Sequence, residues 1–221
     1  MLVKNAGLES QPYWGYEDIG AFLVLAVLLG LVLRLLVHLQ VLSRFAMDKP
    51  SIGLQFAVVT LLGAGLYFIL RLRHRQPVLK PLGWVVPRMS YIVMAFMIGP
   101  SFAAGIALYL RFRNRFTTPI PIGELLILGL VFGPILEESF FRGCLLPVLA
   151  LSTGAIPAVI ITGVVFASFH GPVDLAHWVT LTATGIAYGW IRLASRSTTA
   201  SALMHSAYNL TLYFFYFFVR S

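Results

Sequence analysis

The chain has 221 residues, of which 59% are hydrophobic and 11% charged, with 16 Lys and Arg against 8 Asp and Glu. A soluble domain carries roughly twice that charged share, so the composition excludes a water-soluble globular protein and describes a polytopic membrane protein. The net charge of +8 belongs with loop topology and anionic headgroups rather than with nucleic acid, and a lone cysteine, Cys144, excludes an intrachain disulfide.

A membrane-spanning helix needs about 20 apolar residues. Seven candidates follow in order, at about 19–42, 53–71, 90–110, 121–149, 155–170, 174–193 and 199–219. The runs are too long and too little alternating for barrel strands, so the expected fold is all-α, a polytopic bundle of about seven transmembrane helices around a polar cavity. The first run follows Glu9, Glu17 and Asp18. It lacks the basic start and short apolar region of a signal peptide, so it is expected to stay as a span. "YWGYED" at 13–18 reads as an interfacial aromatic cluster entering an acidic helix N-terminus. The fourth run is long enough to project from the bilayer or to bend at Pro134.

The linkers hold the positive charge. Arg71, Arg73, Arg75, Lys80 and Arg88 lie between the second and third spans, where "VLKPLGWVVP" suits the membrane surface, and Arg111, Arg113 and Arg115 follow the third. Adding the remaining loop residues gives eight Lys/Arg on the N-terminal side and six on the other. That bias toward a cytoplasmic N-terminus is too small to fix the orientation. The chain divides into a tail at 1–18, N-terminal helices and basic linkers at 19–120, and a C-terminal helical core at 121–221.

Six of the eight acids fall in tails, linkers or helix ends; only Glu137 and Glu138, in "ILEESFFRGCLL", lie well inside a span. An ionisable group there is costly and marks a functional position, unless it is a structural polar knot. Glu138 and Arg142 are four apart and share a helical face, whereas Glu137 points about 100° away. Arg142 therefore neutralises Glu138, and Glu137 is the carboxylate left to act as a general base. "FASFH" sets Phe166 and His170 on one face of the fifth span, and "HSAYN" sets His205 and Asn209 on one face of the seventh.

Depth gives an independent check. Along ideal helices Glu137 and His170 lie at most about 22 and 27 Å from a turn at Ser152, and His205 and Asn209 about 12 and 18 Å from a turn near Ser197. The groups fall in one band and can converge. Glu137 with His170 can hold and deprotonate a water that attacks a carbonyl, and His205 with Asn209 can donate to the resulting oxyanion.

"EESFFRG", "FASFH" and "HSAYN", in this order, resemble the EExxxR, FxxxH and HxxxN motifs of the CPBP family, the CAAX-protease and bacteriocin-processing (Abi) intramembrane proteases that include type II CAAX prenyl endopeptidases. "GIAYGWIRLASRSTTASALMHSAYN" also resembles the family's approach to its last motif, so the likeness covers roughly 121–215. It implies an all-helical membrane endopeptidase with Glu137, His170, His205 and Asn209 as catalytic residues and Glu138, Arg142 and Phe166 in support. It also implies substrates that are prenylated C-terminal peptides, bacteriocin precursors or other membrane-associated peptides, and for a chain of this kind a prokaryotic plasma membrane. Some members are described as metalloproteases and others as glutamate-dependent. Here no metal cofactor is favoured, there being no HExxH; the alternative is zinc on Glu137, His170 and His205.

Other residues receive plainer readings. Cys144 is core packing, Asp174 caps the sixth span, and Gly185 and Gly189 form a close-packing GxxxG. A non-enzymatic reading stays open beside the protease: an ion or proton transporter, or an immunity or scaffold protein, using the same polar cluster.

Overall fold

The computed structural model describes residues 12–39, 52–112, 123, 125–170 and 174–218. These form seven helical runs and, among the described residues, no strand. They are α1 (Tyr16–His38), α2 (Ile52–His74), α3 (Met89–Phe112), α5 (Ala155–Ser168), α6 (Leu175–Ser195) and α7 (Thr198–Phe218). Between α3 and α5 lies α4, a continuous run built from π-helical Leu125–Phe132, α-helical Gly133–Glu138, π-helical Ser139–Leu145 and α-helical Leu146–Thr153. Each matches a predicted span to within a few residues. Glu9, Asp48, Glu124, Arg113, Arg115 and most of the 1–18 tail lie outside the described residues.

Three helices are long and apolar enough to cross a membrane among the described residues: Tyr16–Leu36, Ile52–His74 and Met89–Tyr109. Only 11% and 6% of the first two are buried within the protein, so nearly all of their Leu and Val surface is left to lipid. α5 is a shorter apolar helix. α6 and α7 carry Thr, Ser, Tyr and His on their inward faces, which lowers their mean hydropathy while marking where the polar interior lies.

Small residues set the closest approaches. A Cβ on Gly163 of α5 would lie 2.7 Å from Ile186 Cγ1 and 3.0 Å from the Thr182 carbonyl, and one on Gly185 would lie 2.9 Å from Gly163 Cα. Gly189 faces Val159, so the expected GxxxG does seat α6 against α5. On the far side α3 meets α7 at Gly99, where a Cβ would fall 2.5 Å from the Met204 carbonyl. Gly154, at φ 88°, makes the turn from α4 to α5.

Both sequence expectations for the bundle's interfacial end need revision. Trp14 is buried and donates to the Cys144 carbonyl at 3.0 Å, while the Tyr13 hydroxyl donates to Pro77 O at 2.9 Å. Burial raises the Tyr13 phenol above its ordinary value, which keeps it a donor. The 78–88 linker does not lie flat on the membrane. Val78 and Leu82 are buried, Trp84 donates to Ser139 Oγ at 2.9 Å, and Thr198 N–H donates to Gly83 O at 2.7 Å. Apolar side chains inside a basic linker plug into the bundle because that removes more surface from water than an interfacial position would. The acidic entry to α1 does form: Asp18 accepts from Gly15 N–H and pairs with His74 at 3.0 Å, and Glu17 pairs with Arg73.

The tight α5–α6 seam makes a direct test. Gly163→Ala should lower stability by about 1–3 kcal/mol, because backbone as well as side chain must move. Gly105→Ala in α3, where nothing lies within 4 Å, should be neutral or gain about 0.5–1 kcal/mol. Thermal unfolding in detergent would separate the two.

Candidate active site

Glu138 and Arg142 are both fully buried on α4. Their spacing brings Arg142 Nη1 to 3.1 Å from Glu138 Oε1, and Nη2 donates to the Gly185 carbonyl at 2.9 Å. The guanidinium also lies over the rings of Phe166 and Tyr188, 4.5 and 5.2 Å from their centroids. Desolvating such a pair costs several kcal/mol per ion, and the cost is offset only where every donor and acceptor is used. Glu138 meets that condition. Its Oε1 also takes His205 Nδ1 at 3.0 Å, and its Oε2 lies 2.7 Å from Ser201 Oγ. Ser201 is also 2.9 Å from the Tyr188 carbonyl, with one proton to share between the two acceptors. α4, α6 and α7 are thus tied at one carboxylate.

Glu137 differs. Its Oε2 is buried and has no hydrogen-bond partner. Its Oε1 lies beside Gly133, where a Cβ would come within 3.7 Å of it; glycine keeps that side of the carboxylate open. The buried Tyr188 hydroxyl, also without a partner, sits in the field of both glutamates. The helix widens just after the two glutamates, over Ser139–Leu145, where Leu146 N–H reaches back five residues to Phe141 O. Such π turns are frequent at functional sites, where they re-aim side chains.

The other predicted residues fall around this pair. His205 has its Nδ1 bound to Glu138 at 3.0 Å, which leaves only Nε2 for any contact with substrate. Its ring stacks on Tyr188 at 4.9 Å and 22°. Asn209 Nδ2 donates to the Gly129 carbonyl at 2.7 Å, leaving one amide hydrogen. His170 is exposed at the end of α5, and its Nδ1 is 2.8 Å from Phe166 O. A carbonyl only accepts, so the proton is on Nδ1 and Nε2 carries a lone pair. Phe166 lies between the histidines, its ring centre 4.5 Å from that of His170 and 5.8 Å from that of His205. Gly171 and Pro172, after His170, lie outside the described residues, while Asp174 caps α6 by accepting His177 N–H at 3.0 Å.

The depth argument rests on two turns taken as level, and they are not. Gly143 packs on Leu82, which also accepts from Thr198, so the α6–α7 turn sits beside the middle of α4. The α4–α5 hairpin runs on beyond it. Sequence reasoning passed over Ser201 and Tyr188: neither is charged, and their partners lie 63 residues away and across a helix interface.

His205 and His170 each have Nδ1 hydrogen-bonded, to Glu138 and to the Phe166 carbonyl, which leaves Nε2 as the free ring atom in both. Such an orientation suits a metal ligand as well as a partner for water. Among the described residues no three His, Cys, Asp or Glu side chains are grouped closely enough to hold an ion.

The two glutamates predict opposite phenotypes. Glu138→Gln leaves Arg142 buried without its counter-charge and should destabilise the fold by about 3–5 kcal/mol. Glu137→Gln should leave the unfolding temperature close to wild type. Similar losses for both would contradict the division of roles.

No curated protein and no solved structure matches the chain. A family model described as "Type II CAAX prenyl endopeptidase Rce1-like" matches residues 119–211, which contain all three motifs and every side chain of the buried cluster. This C-terminal segment is therefore similar to type II CAAX prenyl endopeptidases, in agreement with the motif resemblance to the CPBP family.

Proposed function

We propose that the protein hydrolyses a peptide bond in a membrane-associated substrate, with Glu137 as the base that activates water. One observation carries this reading: of two adjacent glutamates, one has both oxygens engaged and the other holds a buried oxygen with no partner. An acceptor kept dry and unpaired is costly unless a reaction uses it.

The chemistry follows from the donors and lone pairs available. A water held between Glu137 and His170 Nε2 gives its proton to Glu137 while its oxygen attacks the scissile carbonyl carbon. The oxyanion so formed takes the remaining amide hydrogen of Asn209 and, when His205 is an imidazolium, its Nε2–H. Glu137 then returns the proton to the amide nitrogen as the C–N bond breaks, releasing a carboxylate and an amine. Glu138 and Arg142 hold His205 in register and make no bond to substrate. No step is drawn through zinc.

The substrate side is supported by a cavity of about 520 Å³ between α2, the linker and α4. It is lined almost wholly by apolar groups, among them Gly63, Tyr67, Leu79, Trp84 and Leu136. Leu136 adjoins Glu137, so a hydrocarbon chain in this cavity would bring an attached peptide toward the carboxylate. A prenylated C-terminal peptide fits that description. On this reading all seven helices cross the bilayer in the plasma membrane of a prokaryotic cell, with the polar faces of α6 and α7 packed inward; 121–221 is the catalytic core and 19–120 screens it.

Reconstituted in liposomes and given a farnesylated C-terminal peptide, Glu137→Gln should cut the cleavage rate by about 10²–10⁴-fold, with His170→Ala comparably impaired. Undiminished cleavage by Glu137→Gln would end the role given to Glu137, and no cleavage by the wild type would favour a transporter or scaffold role. Filling the cavity with Gly63→Leu should lower kcat/KM for the farnesylated peptide about tenfold, roughly the worth of one or two buried methylenes, and leave an unprenylated peptide unaffected.

A further inference from the structure

Arg192, near the C-terminal end of α6, is only 6% exposed. Its guanidinium presses on the 78–88 linker at Gly83, where a Cβ would lie 2.7 Å from Nη2 and 2.8 Å from Cζ. Gly83 has φ 86°, so both its conformation and the guanidinium against it require glycine. The site lacks a counter-charge. Arg192 Nε is buried with no hydrogen-bond partner, and among the described residues no carboxylate pairs with this guanidinium. The two buried acids are already engaged, Asp18 with His74 and Arg73 and Glu138 with Arg142 and His205.

The surroundings select the sign and the source of a partner. Lys80 and Arg196, close in sequence to Gly83 and Arg192, are both exposed, so the segments that meet here are basic and favour an anion. The same end carries Tyr16, exposed at the start of α1, a residue type that sits at headgroup depth. Thr198 Oγ already donates to Leu82 O, which leaves the arginine fork as the donor. That fork matches phosphate geometry, and basic pockets between membrane helices take anionic headgroups.

We infer that Arg192, seated on Gly83, binds the phosphate of an anionic phospholipid headgroup. The inference is independent of the catalytic proposal and needs only that the helices lie in a bilayer. It also gives the lipid a structural effect: Tyr188, one turn before Arg192 on α6, stacks on His205, so a headgroup there steadies the helix that backs the site.

The test compares the full chain with Arg192→Gln and Arg192→Lys, each in neutral detergent and in phosphatidylcholine vesicles with or without phosphatidylglycerol. Wild type should unfold at a higher temperature with phosphatidylglycerol and retain it in native mass spectrometry. Arg192→Gln should bind it about tenfold more weakly, and Arg192→Lys, which keeps the charge without the fork, should fall between. In detergent alone Arg192→Gln should be at least as stable as wild type, because it removes an uncompensated buried charge. An equal response to phosphatidylglycerol in wild type and Arg192→Gln would overturn the inference. So would an Arg192→Gln protein much weaker than wild type in detergent alone, which would make the arginine purely structural. Full stabilisation of wild type by inorganic phosphate would overturn the lipid as the source of the anion.

Discussion

The buried Glu138–Arg142 pair is the constraint on which the C-terminal half depends. Two charges removed from water hold each other at 3.1 Å, and their further hydrogen bonds reach two other helices: the Gly185 carbonyl of α6, and Ser201 and His205 of α7. Phe166 of α5 covers the guanidinium. A pair of this kind contributes less net stability than apolar residues of the same volume would. It does fix the relative positions of the helices that carry the three motifs, because each must supply one partner or leave a buried charge unsatisfied.

That fixing is what makes the neighbouring glutamate informative. Glu137 and Glu138 share a backbone turn, yet Glu138 is fully buried with both oxygens engaged, while Glu137 is only partly buried and its Oε2 has no partner. The contrast comes from where α7 places Ser201 and His205. Catalysis needs a group that is held in place but not consumed by its supports. Adjacent residues that separate support from reaction meet that need within a single helical turn.

Much of this was legible in the sequence because it is local. Apolar runs announced seven helices, and four-residue spacing joined Glu138 to Arg142 and Phe166 to His170. What was not legible depends on contacts between distant segments. The spacing that marks His205 does not show that its Nδ1 is held by a carboxylate 67 residues away, leaving Nε2 for substrate. Asn209 spends one amide hydrogen on Gly129 O, a carbonyl that no side-chain pattern reveals. The widened turns of α4 are a matter of backbone register, and the burial of Val78 and Leu82 depends on a slot formed only when α2, α4 and α7 have packed. The solitary state of Arg192 is likewise visible only once every nearby acid has been assigned.

The central claim is that Glu137 activates water rather than attacking the peptide itself. A single turnover of a farnesylated C-terminal peptide in H₂¹⁸O, with the protein in excess, tests it most directly. Attack by water predicts that the new carboxylate carries one ¹⁸O in that first turnover. An unlabelled product, with ¹⁸O appearing instead in the Glu137 side chain, would show the carboxylate acting as nucleophile and would contradict the account.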